Sequence, residues 1–224
     1  MKTKSIITTT VWLATVIASR FIKVNMLIGS SRLMLSGLTI TLPIIGNMFP
    51  TAQALFMIAA LACGKGLAGI LPFTLWLPSL CAALSWSISN KNNILDFVIN
   101  VILPTTCMFT FITHPIAGNA AVYSAYWIIP PAVFALRRIQ KKSGLFLISL
   151  QSTFVAHAVG SIIWLYMIPM TATQWLQLIP LVAIERLTLA SASVLVVVAL
   201  GYMVKQAQGI AIKVRNTKII ECMF

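Results

Sequence analysis

The sequence predicts an all-α fold: a polytopic integral membrane helical bundle of about 6–8 transmembrane helices with its C-terminus in the cytoplasm. Three observations predict it. Only 8% of residues are charged and 59% are hydrophobic, whereas a soluble domain covers its surface with about 25% charged residues. Apolar runs of roughly 15 to 20 residues recur from end to end, the length that crosses a bilayer as helix. The runs are continuously apolar, not alternating as barrel strands are, and helices satisfy their own backbone hydrogen bonds in lipid.

The net charge of +13 comes from 16 Lys and Arg set against Asp96, Glu185 and Glu221. Most of the basic residues lie between or after apolar runs, where they orient helices and meet anionic headgroups, so membrane lipids are the first expected partners. No basic helix carries interleaved aromatics, which argues against nucleic acid as a partner. Cys63, Cys81, Cys107 and Cys222 form no C-x-x-C, and three of them lie inside apolar runs as small hydrophobes.

In chain order, Met1 to Ser19 is a first apolar run after Lys2 and Lys4. It reads as an uncleaved helix, with a secretory signal as the alternative. A basic linker from Arg20 to Arg32 follows, with Gly29-Ser30-Ser31 as a turn signal. Leu33 to Met48 is interrupted by Gly37, Pro43 and Gly46, and suits a tilted, kinked or re-entrant segment. Thr51 to Cys63 is shorter, and Gly64-Lys65-Gly66 ends it. Gly69 to Ser89 is a full-length span with Pro72 and Pro78, and with Trp76 and Trp86 placed as interfacial anchors.

After the polar Asn90 to Asn93 loop, Ile94 to Thr113 begins with Asp96, read as a first-turn acid favoured by the helix dipole. His114 to Asn119 breaks the chain, and Ala120 to Leu136 returns through Tyr123, Tyr126, Trp127 and Pro130-Pro131. Arg137-Arg138-Ile139-Gln140-Lys141-Lys142 is read as a cytoplasmic loop by its basic charge. Gly144 to Ile168 then crosses outward, Pro169 to Gln177 is an uncharged outer loop, and Pro180 to Val204 crosses back. The expected division is a transmembrane domain over residues 1–204 and a basic cytoplasmic tail over 205–224. The first third resists a consistent topology, because both Lys2–Lys4 and the Arg20 to Arg32 linker ask for the cytoplasmic side. One of the first three runs is therefore expected not to span.

Polar groups inside the last two spans are the candidate site. Thr153, His157 and Ser161 recur every four residues and share one helix stripe, with Gly160 beside them admitting a close neighbour. An imidazole inside a span is a functional candidate, or else a neutral hydrogen-bonded tie between helices. Gln151 lies on the same helix. Glu185 and Arg186 are adjacent, and a step of about 100° per residue argues that they diverge. A helix starting at Pro180 would hold Glu185 about 7 Å deep, shallow enough to snorkel. His114 opens the outer loop. The candidate substrate-binding set is thus Gln151, Thr153, His157, Glu185, Arg186 and His114.

His114, His157 and Glu185 are ligand types for a metal, but H-E-x-x-H and E-x-x-H are absent, so neither a metal nor another cofactor is expected. Also absent are the G-x-S-x-G elbow, the Walker loop, G-x-G-x-x-G and a paired-aspartate motif. No catalytic residue is assigned.

The segment Ala54 to Thr74, with its glycines followed by Leu71-Pro72-Phe73, resembles the substrate-binding membrane subunits of energy-coupling-factor vitamin transporters. The resemblance covers about a tenth of the chain, together with its length and helix number, and brings no ligand motif with it. It implies small-solute binding with further membrane subunits as partners. Helices interrupted by Pro and Gly point the same way, to a small-solute transporter or its substrate-binding subunit. An intramembrane enzyme on a lipid or polyprenyl substrate, or a scaffold without catalysis, are the alternatives. The basic cytoplasmic face suits a bacterial or archaeal inner membrane.

Overall fold

The computed structural model describes the backbone of residues 2–19, 21–28, 31–49, 51, 52, 54, 56, 57, 70–89, 94–140 and 144–221, and side chains within 6–19, 21–23, 37–57, 76–89, 94–140 and 144–209. The Gly64-Lys65-Gly66 turn, most of the Thr51 to Cys63 run, the Asn90 to Asn93 loop, and Lys141 and Lys142 lie outside these residues. So does most of the Ala54 to Thr74 segment.

Among the described residues the regular structure is helical apart from one hairpin. Helix α1 is Lys2–Ser19, strands β1 and β2 are Lys23–Ile28 and Ser31–Ser36, and α2 is Gly37–Met48. Helix α3 is Ile70–Ile88, α4 is Ile94–Thr113, α5 is Ala117–Gln140, α6 is Leu145–Met167 and α7 is Ala172–Glu221. Among the described residues, α4, α5, α6 and the Ala172–Gly209 part of α7 are long and apolar enough to cross a membrane. The shorter apolar helices are Ile6–Ser19, Gly37–Met48 and Trp76–Ile88.

The Arg20 to Arg32 linker is corrected to an antiparallel hairpin, with Lys23 opposite Ser36 and Ile28 opposite Ser31. It takes Leu33–Ser36 away from the second apolar run, because those residues complete the ladder with β1. What remains, α2, is about 18 Å long at 1.5 Å per residue, well short of a core of about 30 Å.

Prolines set several helix boundaries. His114 (φ −72°, ψ 134°) ends α4 and Ile168 (φ −127°, ψ 117°) ends α6. Each precedes a proline, whose ring pushes the residue before it out of the helical region. Inside α4, Pro104 has no N–H for the Asn100 carbonyl, and the helix widens there into a π turn over Val98–Ile102, with the Leu103 N–H on the Val98 carbonyl. In α5, Pro130 cannot serve the Tyr126 carbonyl, which instead accepts from the Ile129 N–H three residues on. Residues Ala117–Ile128 are wound as a 3-10 helix with a kink at Ala120 (φ −117°, ψ 30°), and Ala117, Ala120 and Tyr123 are all buried.

The outer loop from Pro169 to Gln177 is also corrected. Helix α7 begins at Ala172, because Thr171-Ala172-Thr173-Gln174 forms a reciprocal cap. The Gln174 N–H donates to Thr171 Oγ1 at 3.3 Å, and the Thr171 N–H donates to Gln174 Oε1 at 2.8 Å. Pro180 therefore lies inside the helix, and α7 runs past Val204 as helix to Glu221.

Helix α6 is the hub. In it, 61% of the membrane-length window is buried, against 33% or less in the other three long helices. It packs on α3, α4, α5 and α7. Polar ties join it to three of them: Ser152 Oγ donates to the Ala82 carbonyl of α3 at 2.9 Å, and Ser149 Oγ to the Ala190 carbonyl of α7 at 3.0 Å. Gln151 Nε2 donates to the Pro130 carbonyl of α5 at 3.2 Å. Without a hydrophobic driving force between helices in lipid, such small polar side chains and close packing supply the association. A second core joins α1, α2 and α3 through Trp12, Val16, Ile45, Phe49 and Ala83. Trp86, expected at an interface, is buried at 3% exposure with Ile44, Ile148 and Leu200, because α7 and α2 both cover it.

Candidate functional site

His157 lies half-way along α6, and its ring is enclosed by α5. The Trp127 indole N–H donates to Nδ1 at 3.0 Å, and Nε2 lies 2.9 Å from the Tyr123 hydroxyl and 3.4 Å from Ser161 Oγ. Tyr123 and Ser161 are themselves 3.3 Å apart. The expected Thr153–His157–Ser161 stripe therefore exists, and Tyr123 and Trp127, one turn apart on α5, meet the two nitrogens of the imidazole. Around them Phe111, Tyr123, Trp127 and Trp175 form one buried aromatic cluster, with Phe111 edge-on to Trp127 and Trp175 at 5.3 and 5.1 Å between ring centres.

Glu185 and Arg186 do not diverge. Their charged groups meet at 2.6 Å, because both side chains are long enough to close one step of helix rotation. Both lie on the α7 face that carries buried Val182, Leu189 and Ala190. Arg186 also donates through Nη1 to the Thr153 carbonyl at 3.4 Å, one turn before His157. Because α7 starts at Ala172, Glu185 is about 20 Å along the helix and not in its first turns. Snorkelling to the near interface is no longer the simple account. Arg186 Nε is buried with no partner among the described residues.

The Glu185–Arg186 pair thus meets α6 at Thr153, one turn from His157, whose ring faces α5. Gln151 is turned towards α5, with Oε1 buried and unpartnered among the described residues. His114 is elsewhere. Its Nδ1 accepts from the Ile116 and Ala117 N–H groups, both at 3.3 Å, and its ring meets Tyr166 edge-on at 5.7 Å. Tyr166 is about 13 Å further along α6 than His157. No group of three or more His, Cys, Asp or Glu comes together among the described residues.

A second polar centre is missing from the sequence-based set. Asp96 Oδ1 accepts from Arg137 Nη2 at 2.9 Å and from Asn100 Nδ2 at 2.7 Å, while Asn100 Oδ1 accepts from Ser85 Oγ at 2.6 Å. Asp96 and Asn100 are 0% exposed and Arg137 7%. Asp96 lies in the first turn of α4, as expected, and is in addition an interhelical ion-pair partner, while Arg137 is the buried last turn of α5 and not part of a loop. Arg138, beside it, is exposed and lies over Phe134, 4.9 Å from the ring centre. The signal was the pair Asp96 and Asn100, one turn apart in an apolar run, on the side where Arg137 also falls.

Helices α4 to α7 thus define a multi-pass membrane protein architecture: Asp96–Arg137 at one end and His114–Tyr166 at the other set α4, α5 and α6 in alternating directions, and Ser149–Ala190 with Thr153–Arg186 set α7 antiparallel to α6. No protein-family model matches the chain, and neither a curated protein nor a solved structure does.

Proposed function

We propose that this chain is a small-solute transporter, or the substrate-binding membrane subunit of one, with the solute taken between α6 and α7. The observation that carries the proposal is the Glu185–Arg186 pair on the bundle face of α7, reaching the α6 backbone one turn from His157. Ionisable groups at membrane depth are costly, and where they face a bundle interior they mark solute or ion pathways. Arg186 Nε adds an unspent donor at that level. In this reading α1 and α3 join the four long helices in a bundle of about 6–8 crossings in a bacterial or archaeal inner membrane. Arg137, Arg138 and Lys205 share the cytoplasmic side with the C-terminus.

The test is native mass spectrometry of the detergent-purified protein beside His157→Ala and Glu185→Gln. A specific small-molecule mass retained by the parent and lost in either variant supports the site. A bound mass that survives both substitutions removes the solute from the α6–α7 interface.

One observation favours a scaffold without chemistry as the second reading. Both nitrogens of His157 are engaged by its neighbours, as expected of a tie between helices. The same engagement weighs against an intramembrane enzyme using His157 as general base, which needs a free ring nitrogen towards its substrate. In the scaffold reading only heterogeneous lipid is retained, and the substitutions change stability alone.

A further inference from the structure

The hydrogen bonds around His157 have a direction that follows from donor inventory. An indole N–H only donates, so Nδ1, 3.0 Å from Trp127 Nε1, must be the bare, accepting nitrogen. A neutral imidazole carries one proton, and it is then on Nε2. Nε2–H donates to the Tyr123 oxygen at 2.9 Å, with Ser161 Oγ as a longer second acceptor at 3.4 Å. The Tyr123 O–H, no longer needed by the ring, donates onward to Ser161 Oγ at 3.3 Å. A proton on Nδ1 would point at the indole N–H, so either the Nδ1–H tautomer or the imidazolium requires Trp127 to move.

From this we infer that Trp127 is a positioning residue that fixes His157 as its Nε2–H tautomer, so that His157 presents a hydrogen-bond donor to the core. Any ligand that engages the ring replaces the Tyr123 oxygen at Nε2–H and therefore brings an acceptor oxygen, as a carboxylate or carbonyl does. The ligand class rests on the proposed solute site; the tautomer does not. Trp127 is 1% exposed and Tyr123 2%, both fixed in the aromatic cluster, so the assignment belongs to the packed core and not to a mobile side chain.

The chain has two histidines, which makes the test direct. Protein labelled with nitrogen-15 histidine, in lipid nanodiscs, gives two rings by NMR, and His157→Gln identifies which is His157. The expected spectrum shows His157 as a single neutral form protonated at Nε2. Trp127→Phe, which keeps a ring but removes the donor, is expected to give a mixture of tautomers. Tyr123→Phe leaves Trp127 in place and is expected to keep the Nε2–H form, so the assignment stays testable should Trp127→Phe fail to fold. A ring protonated at Nδ1 in the parent protein, or one unchanged by Trp127→Phe, overturns the tautomer assignment. Acetate and methylammonium, added separately, test the ligand class: acetate is expected to shift the Nε2 resonance and methylammonium to leave it in place. A shift with methylammonium alone overturns the acceptor class. No shift with either overturns ligand engagement at His157, while the tautomer assignment is still decided by the unliganded spectra.

Discussion

Arg137 closes on Asp96 at 2.9 Å across the α4–α5 interface, joining residues 41 positions apart at a depth where both are nearly dry. Asn100 shares the same carboxylate oxygen and hands the network on to Ser85 in α3. The π turn over Val98–Ile102 lies within this network and includes Asn100. Three helices are thereby held at one end by a cluster in which each charge has a partner.

Removing one partner of that pair leaves the other charge buried, which costs about 3–5 kcal/mol in buried ion pairs. Arg137→Leu and Asp96→Leu are each expected to lower stability by that order, read as the shift in denaturant midpoint of the detergent-solubilised protein. The double substitution is expected to cost much less than the two single losses together, since an apolar pair needs no charge compensation. Additive losses would mean that the two side chains do not act as a pair.

Gly46 is where α2 meets α3 backbone to backbone. A Cβ built there overlaps the Ala83 carbonyl oxygen, which belongs to the neighbouring helix and cannot rotate away. Gly46→Ala is therefore expected to force the helices apart and cost about 1–3 kcal/mol, the range for overpacking a tight core. Gly201 in α7 is the control. Nothing lies within 4 Å of its added Cβ, and Gly201→Ala is expected to stabilise by about 0.5–1 kcal/mol through helix propensity alone. Thermal unfolding of both variants in the same detergent checks the contrast, and equal effects at the two glycines would remove the close approach.

The four long crossings were legible because their signal is length and apolarity, which Ile94 to Thr113 and Gly144 to Ile168 display without competition. The stripe of Thr153, His157 and Ser161 was legible for a related reason, since a helix period places those residues together whatever surrounds them. The partners of His157 were not. Tyr123 and Trp127 reach it from another helix, α5, and no period within α6 specifies which neighbour packs there. Asp96 and Arg137 each suit a helix end taken alone, and only the packing of α4 on α5 makes them a pair. Cα geometry alone separates Glu185 from Arg186, because it ignores how far long side chains bend. The hairpin was hidden because Leu33 to Ser36 is as compatible with an apolar helix as with a strand when only its composition is considered.

The start of α7 is set by two side chains that the apolar pattern does not see. Thr171 and Gln174 satisfy each other's backbone N–H groups, and they place Trp175, 1% exposed, into the aromatic cluster 4.9 Å from the Tyr123 ring centre. Thr171→Ala is expected to cost about 1 kcal/mol, the usual loss for an N-cap. Thr171→Ser keeps the accepting oxygen and is expected to leave stability unchanged, since Ser caps at least as well as Thr. Amide hydrogen exchange gives the local readout, because Gln174 N–H loses its acceptor in Thr171→Ala and should exchange faster than in the parent. Exchange further along, beyond Pro180, should be unchanged, since that part of α7 is held by α6 through Ser149 and the Ala190 carbonyl. Faster exchange throughout α7 would instead mean that the cap governs the docking of the whole helix, and an unchanged Gln174 amide would mean that the helix start is fixed by the burial of Trp175 and not by Thr171.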